Sequence, residues 1–223
     1  MTAPIEELRA LVAYDAGQNE RECGAVLEKH AATLARGLVA RLSAHFVGIR
    51  AEITVTTGRT DIAVLAEEAT PTGKKMKAII WELKAPQLFL FEIENDMRAR
   101  PTVDLYGAEN QVLHYFWEIR QNGAFMKKYD IQSDADVVLG GVIIGRDGTL
   151  HRPQKDVDAK EAERLATQAF NARRECLYHE RFSLITWSNV LQAAEHQISN
   201  TALTATTPEV LPQGAGPVVS GSV

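Results

Sequence analysis

The stretch TDIAVLAEEATPTGKKMKAIIWELK, Thr60–Lys84, decides how the chain folds. TDIAVLAE (60–67) and residues 76–84 are rich in apolar and β-branched side chains, and EATPTGKK between them supplies turn residues. A short connection returns the second strand antiparallel to the first. Side chains alternate along a strand, so Glu82 and Lys84 leave one face while Trp81 and Leu83 leave the other. A carboxylate and an ammonium closing an apolar run are either an ion pair at a sheet edge or half of a metal site.

Working outward, RAEITVTT alternates and predicts a strand at about 50–56, giving an antiparallel meander of three strands. Upstream, Cys23, Val26, Leu27, Leu34, Leu38, Leu42 and Phe46 recur at helical spacing, so a helix is expected over 19–46 with Asn19 as its cap. A shorter helix is expected over 3–14. Residues 85–103, with Pro86 and LFLF, read as an irregular or partly helical excursion. Downstream come a helix at 104–121, an apolar β run at 135–150, a helix at 157–179, a strand at 182–187 and a last helix to 199 capped by Ser188. The order α-β-β-β-α-β-α-β-α makes an α/β fold with a mixed central sheet flanked by helices. The expected organisation is an N-terminal extension (1–18), one domain (19–199) and a flexible Thr-, Pro-, Gly- and Ser-rich tail (200–223).

The composition, 45% hydrophobic and 24% charged over 223 residues, is that of an ordinary globular chain. Net charge is −5, so there is no overall basic footprint of a non-specific nucleic-acid binder, although Lys74, Lys75 and Lys77 cluster, as do Arg98 and Arg100. The two cysteines read as buried free thiols, and the six histidines lack zinc-ligand spacing. The N-terminus lacks a signal-peptide pattern and no apolar run spans a bilayer, so a cytoplasmic protein without a membrane partner is expected.

Asp61 opens the first strand of the quoted pair, where it can lie near Glu82 if the register permits. Two carboxylates and a backbone carbonyl such as that of Leu83 are hard oxygen ligands suited to Mg²⁺, with Mn²⁺ as a substitute. Lys84, beside them, can orient a water or stabilise an anionic transition state. In the helix at 104–121, QVLHY places Gln111 and Tyr115 four residues apart on one face.

Asp61, ELK (82–84) and QVLHY (111–115), in the order helix, three strands, helix, strand, resemble the PD-(D/E)XK nuclease superfamily. More narrowly, ELKAP, NQVLHYF, VVLGGVIIGR and FSLITWSNVL resemble the nuclease domain of the Shedu antiphage defence family, over residues 19–195. The resemblance implies a restriction-endonuclease-like core and a metal-dependent DNA endonuclease that assembles as a homo-oligomer, a dimer or tetramer. It gives Asp61, Glu82 and Lys84 the catalytic positions and Gln111 and Tyr115 accessory ones. Relatives often add a Glu from the first helix; Glu20 fits best, with Glu22 as competitor. Thr60 stands where a proline often precedes the Asp. Many relatives carry a large N-terminal sensing region, so sensing by a separate protein partner stays open. The alternative reading is a catalytically silent member that binds nucleic acid or organises a complex.

Blander readings accompany several residues. Glu82 and Lys84 alone make a surface pair contributing at most ~1 kcal/mol. Glu20 suits a solvated first helical turn. His114 points away from Gln111 and Tyr115, KKMK reads as a hairpin tip and GRDG (145–148) as a β-turn. Phe89, Phe91, Phe116 and Trp117 read as core or subunit interface.

Overall fold

The computed structural model describes residues 4–15, 19–31, 38, 45–54, 59–94, 97–178 and 182–205. Helices α1 (Pro4–Ala13) and α2 (Glu20–Lys29) precede strands β1 (His45–Thr54), β2 (Arg59–Thr70) and β3 (Gly73–Leu83). A small hairpin of β4 (Phe91–Glu94) and β5 (Arg98–Pro101) leads into α3 (Val103–Gln121) and the short α4 (Gly123–Lys128). Then come β6 (Val137–Ile143), α5 (Ala159–Ala172), β7 (Ser183–Ile185) and α6 (Trp187–Ala205). The main sheet has the order β1-β2-β3-β6-β7. β1–β2–β3 is the antiparallel meander, and β6 and β7 join in parallel. The fold is thus α/β with a mixed central sheet between helices.

Strand alternation sorts the sheet into two cores. Ile62, Val64, Ile79, Trp81 and Leu83 pack with α1, α2 and Trp187 of α6. Ala63, Leu65, Ala78 and Ile80 pack with Leu105, Ala108, Val112 and Ile119 of α3. α3 runs antiparallel to β6. Near its C-terminus, Arg120 donates to the Asp134 carbonyl just before β6 (3.2 Å). At its N-terminus, the Thr102 N–H donates to Leu90 O (2.9 Å), and Leu90 N–H donates to Thr149 O in the loop after β6. The N-terminus of α3 therefore lies at the end of the sheet where β3 and β6 finish.

Several expectations need correction. The helix expected over 19–46 is described only as Glu20–Lys29, and His45 already begins β1; residues 32–37 and 39–44 lie outside the described residues. β-branched residues mark the middle of β1, but its start, HFVG, pairs with β2 through a bulge that no alternation betrays. Asn19 does not cap α2 with its side chain; its amide donates to Leu11 O instead (3.1 Å), tying α2 to α1. The excursion at 85–103 contains the β4–β5 hairpin, whose Glu92–Arg100 and Glu94–Arg98 pairs lie across the strands. Asn122 ends α3 and at once caps α4 by accepting from Phe125 N–H. Thr186, not Ser188, caps α6: its Oγ1 accepts from Asn189 N–H and its own N–H donates to Asn189 Oδ1. α6 continues through Ala205, past the compositional change at 200; residues 206–223 of the expected tail lie outside the described residues. Cys23 is buried, its thiol pushed up to about 12 by burial and then by Glu22, but Cys176 is exposed. The turn expected at GRDG (145–148) forms one residue later, over 146–149, with Thr149 N–H donating to Arg146 O (3.0 Å). Among the described residues no helix is long and apolar enough to cross a membrane.

Candidate active site

The register between β2 and β3 brings the acidic residues together. Ile62 and Trp81 are the last paired residues of this ladder, and Asp61 and Glu82 are the next residue of each strand beyond it. By alternation both belong to the α3 side, with Ala63 and Ile80. Asp61 Oδ2 accepts the backbone N–H of Leu83 at 2.7 Å, a side chain standing in for a ladder bond where the two strands part. Leu83 therefore turns its peptide groups toward β2, because its neighbour Lys84 donates its N–H the other way, to Ile143 O (2.8 Å).

Glu82 is 2% exposed. Its Oε1 accepts from Lys84 Nζ at 2.7 Å, and its Oε2 is buried with no hydrogen-bond partner among the described residues. Burial, and then the Asp61 charge, push the Glu82 carboxyl up to about 8, against the opposing pull of Lys84. Burial pulls Lys84 down, but Glu82, Glu20 and Asp61 outweigh it, and the ammonium is held above its ordinary value. Lys84 is thus held as a cation, and the buried Glu82 carboxyl takes up a proton more readily than an exposed one.

α2 adds a third carboxylate. Burial raises Glu20, the nearby Lys84 opposes this and Asp61 reinforces it. Glu22 is exposed. The reason is packing: a Cβ on Gly24 would stand 3.2 Å from Leu83 Cδ1, so the helix rests closely on the end of β3. Glu20, four residues before Gly24, then reaches past Leu83 toward Lys84.

Gln111 is exposed on α3, and Tyr115 is half-buried against the α3-side core. Neither makes a hydrogen bond to Asp61, Glu82 or Lys84. The structure gathers Asp61, Glu82, Lys84 and Glu20, with the Leu83 backbone, and leaves Gln111 and Tyr115 outside that contact.

Two contributors were not legible beforehand. The buried Trp187 indole N–H donates to Lys84 O at 2.7 Å and fixes the backbone that carries the ammonium. No spacing links residue 187 to 84. Gly140 and Gly141 shift β6 against β3 by one residue. A Cβ at Gly140 would lie 2.5 Å from Trp81 Nε1, and one at Gly141 (φ +142°) 1.8 Å from Ser183 O. The paired glycines in VVLGGV were the available signal for this bulge.

A hard divalent cation fits this donor set. Glu82 keeps one buried oxygen without a partner although Lys84 holds the other, it feels the Asp61 charge, and a buried oxygen left unpaired is costly. The fit is of two carboxylates, since among the described residues no three His, Cys, Asp or Glu side chains form a ready-made metal cluster. The basic clusters, by contrast, are internally neutralised. Lys74 pairs with Glu67, Lys75 with Glu68 and Asp136, Lys77 with Glu68, and Arg98 and Arg100 with Glu94 and Glu92. No family model matches the chain, and no curated protein matches it at a significant level.

Proposed function

We propose that this chain is a metal-dependent DNA endonuclease with a restriction-endonuclease-like core, acting in antiphage defence as a homo-oligomer in the manner of Shedu nucleases. The observation that supports it most is the buried Glu82 carboxylate, with one oxygen on Lys84 and the other unpartnered, close enough to Asp61 to feel its charge. Asp61, Glu82 and the Leu83 carbonyl would hold Mg²⁺, or Mn²⁺ in its place. When bound, the ion supplies Lewis-acid charge next to a phosphodiester and lowers the pKa of a water.

The chain's own residues do the rest. Lys84 stays protonated, so it donates a hydrogen bond to the attacking water or to a phosphoryl oxygen, where charge accumulates. Glu20 lies near enough to Lys84 and Asp61 to feel both, and its charge helps hold the ammonium. Asp61 holds the strand end in register through Leu83 N–H. α3 aims its N-terminus at the same end of the sheet, where its dipole favours an anionic substrate. Gln111 and Tyr115 enter as backbone or base contacts for DNA lying along α3.

Incubating the purified chain with linear and circular DNA and Mg²⁺ or Mn²⁺ tests the reading. Cleavage that EDTA stops and Lys84→Ala abolishes supports it. Cleavage by Lys84→Ala at the wild-type rate sinks it. Salt-dependent DNA binding without cutting, unchanged in Glu82→Gln, favours the silent binding module.

A further inference from the structure

α3 has two apolar faces. One carries Leu105, Ala108, Val112 and Ile119 into the core. The other is exposed: Val103 (79%), Tyr106 (59%), Leu113 (48%) and Trp117 (60%) stand in a line. With Asn110, also exposed, they recur at intervals of three, four, three and four residues, the a/d seam of a heptad. No charged residue interrupts the line. A solvated helix face does not need this pattern; a helix–helix seam does.

We propose that this face is a self-association surface on which a second copy of the chain docks α3 against α3, related by a two-fold axis at Asn110. The inference rests on the homo-oligomer part of the proposed reading and deepens it, and it does not depend on the nuclease site. The line is nearly symmetric about Asn110. A two-fold there sets Val103 against the partner's Trp117 and Tyr106 against the partner's Leu113, a small side chain opposite a large one in each layer. Asn110 meets its own counterpart at the centre. One polar residue at an a position is a device that fixes register in paired helices; the Asn110 amide already donates to Tyr106 O within its own helix (3.0 Å), which leaves its Oδ1 to accept from the partner's amide. The four apolar side chains present on the order of 500 Å² per copy. Two copies therefore bury about 1,000 Å², the lower limit of a specific interface. Trp and Tyr within it are the residue types that carry binding energy.

Analytical ultracentrifugation of the full chain over a concentration series up to about 100 µM tests this, since an interface of this size is expected to associate in the micromolar range. The wild type is expected to dimerise. Trp117→Asp and Val103→Lys should each be monomeric with an unchanged circular dichroism spectrum, and the double variant should recover the dimer through two Lys–Asp layers. As a second measurement in a Cys176→Ser background, mixing Val103→Cys chains with Trp117→Cys chains should give a mixed disulfide on oxidation. A monomeric wild type, or a dimer that Trp117→Asp leaves intact, overturns the proposal. So does cross-linking only between like positions, or a face that pairs solely with a different protein.

Discussion

The Asp61 carboxylate accepts the backbone N–H of Leu83 at 2.7 Å, so the acid on β2 also closes β2 onto the end of β3. Substitution separates these two duties. Asp61→Asn keeps an acceptor oxygen and should fold with near wild-type stability, yet lose cleavage. Asp61→Ala leaves the part-buried N–H unpaired and should cost about 1–3 kcal/mol as well. Urea melts read beside cleavage rates check both; equal stability of the two variants would remove the structural duty.

Glu82 makes metal-free stability fall with rising pH. Its carboxyl is raised from 4.5 to about 8, mainly by burial, so the folded chain holds a proton there that the unfolded chain releases. That contribution is fully present below pH 4.5 and is lost as pH rises through about 8. In EDTA, the melting temperature of wild type should drop more between about pH 6 and about pH 9 than that of Glu82→Gln, which cannot ionise. Mg²⁺ should restore the wild type at the higher pH and not the variant. Parallel melting curves for the two proteins would contradict the assignment.

Proton and cation compete for the same Glu82 oxygens, so metal affinity should strengthen as pH rises toward 8 and above. Calorimetric titration with Mn²⁺ in buffers of different ionisation enthalpy should show proton release. A pH-independent affinity with no released proton would mean that the ion binds elsewhere.

Glu20 and Glu22 lie two residues apart on α2, yet only Glu20 is half-buried and feels Lys84. Glu20→Gln should lower the cleavage rate by about 10-fold or more, the scale of one positioned charge, while Glu22→Gln should be silent. A larger loss from Glu22→Gln would reverse the placement of α2.

Trp187 positions Lys84 through the carbonyl that its indole N–H holds at 2.7 Å. Trp187→Phe preserves the apolar bulk and removes one buried hydrogen bond, a cost of about 1–3 kcal/mol. The turnover rate should fall with KM nearly unchanged, because the ammonium loses its orientation and not its charge. A change confined to stability would make Trp187 a core residue only.

The strand pair was legible because its signals are local. Alternation, a turn-rich connection and an apolar run closed by Glu82 and Lys84 defined β2, β3 and the face the pair shares. In α3 the buried Leu105, Ala108, Val112 and Ile119 follow the helical spacing, a signal as local as alternation. The hairpin at 91–101 was not legible, because its strands have four residues each and their pairing rests on cross-strand ion pairs. Nor was the length of α2, since apolar residues at helical spacing continue into residues that pair with β2.

By itself the sequence determined which residue types meet in the site: an acid opening one strand, and an acid and an amine closing the next, two residues apart on one face. Only the tertiary structure decided which acid of α2 joins them, that Trp187 holds Lys84 from more than a hundred positions away, and that Gln111 stays outside. Those outcomes depend on how closely α2 rests on Leu83 at Gly24 and on where α6 docks. Contacts between elements distant in the chain follow from shape and packing, and periodicity within one element carries no record of them.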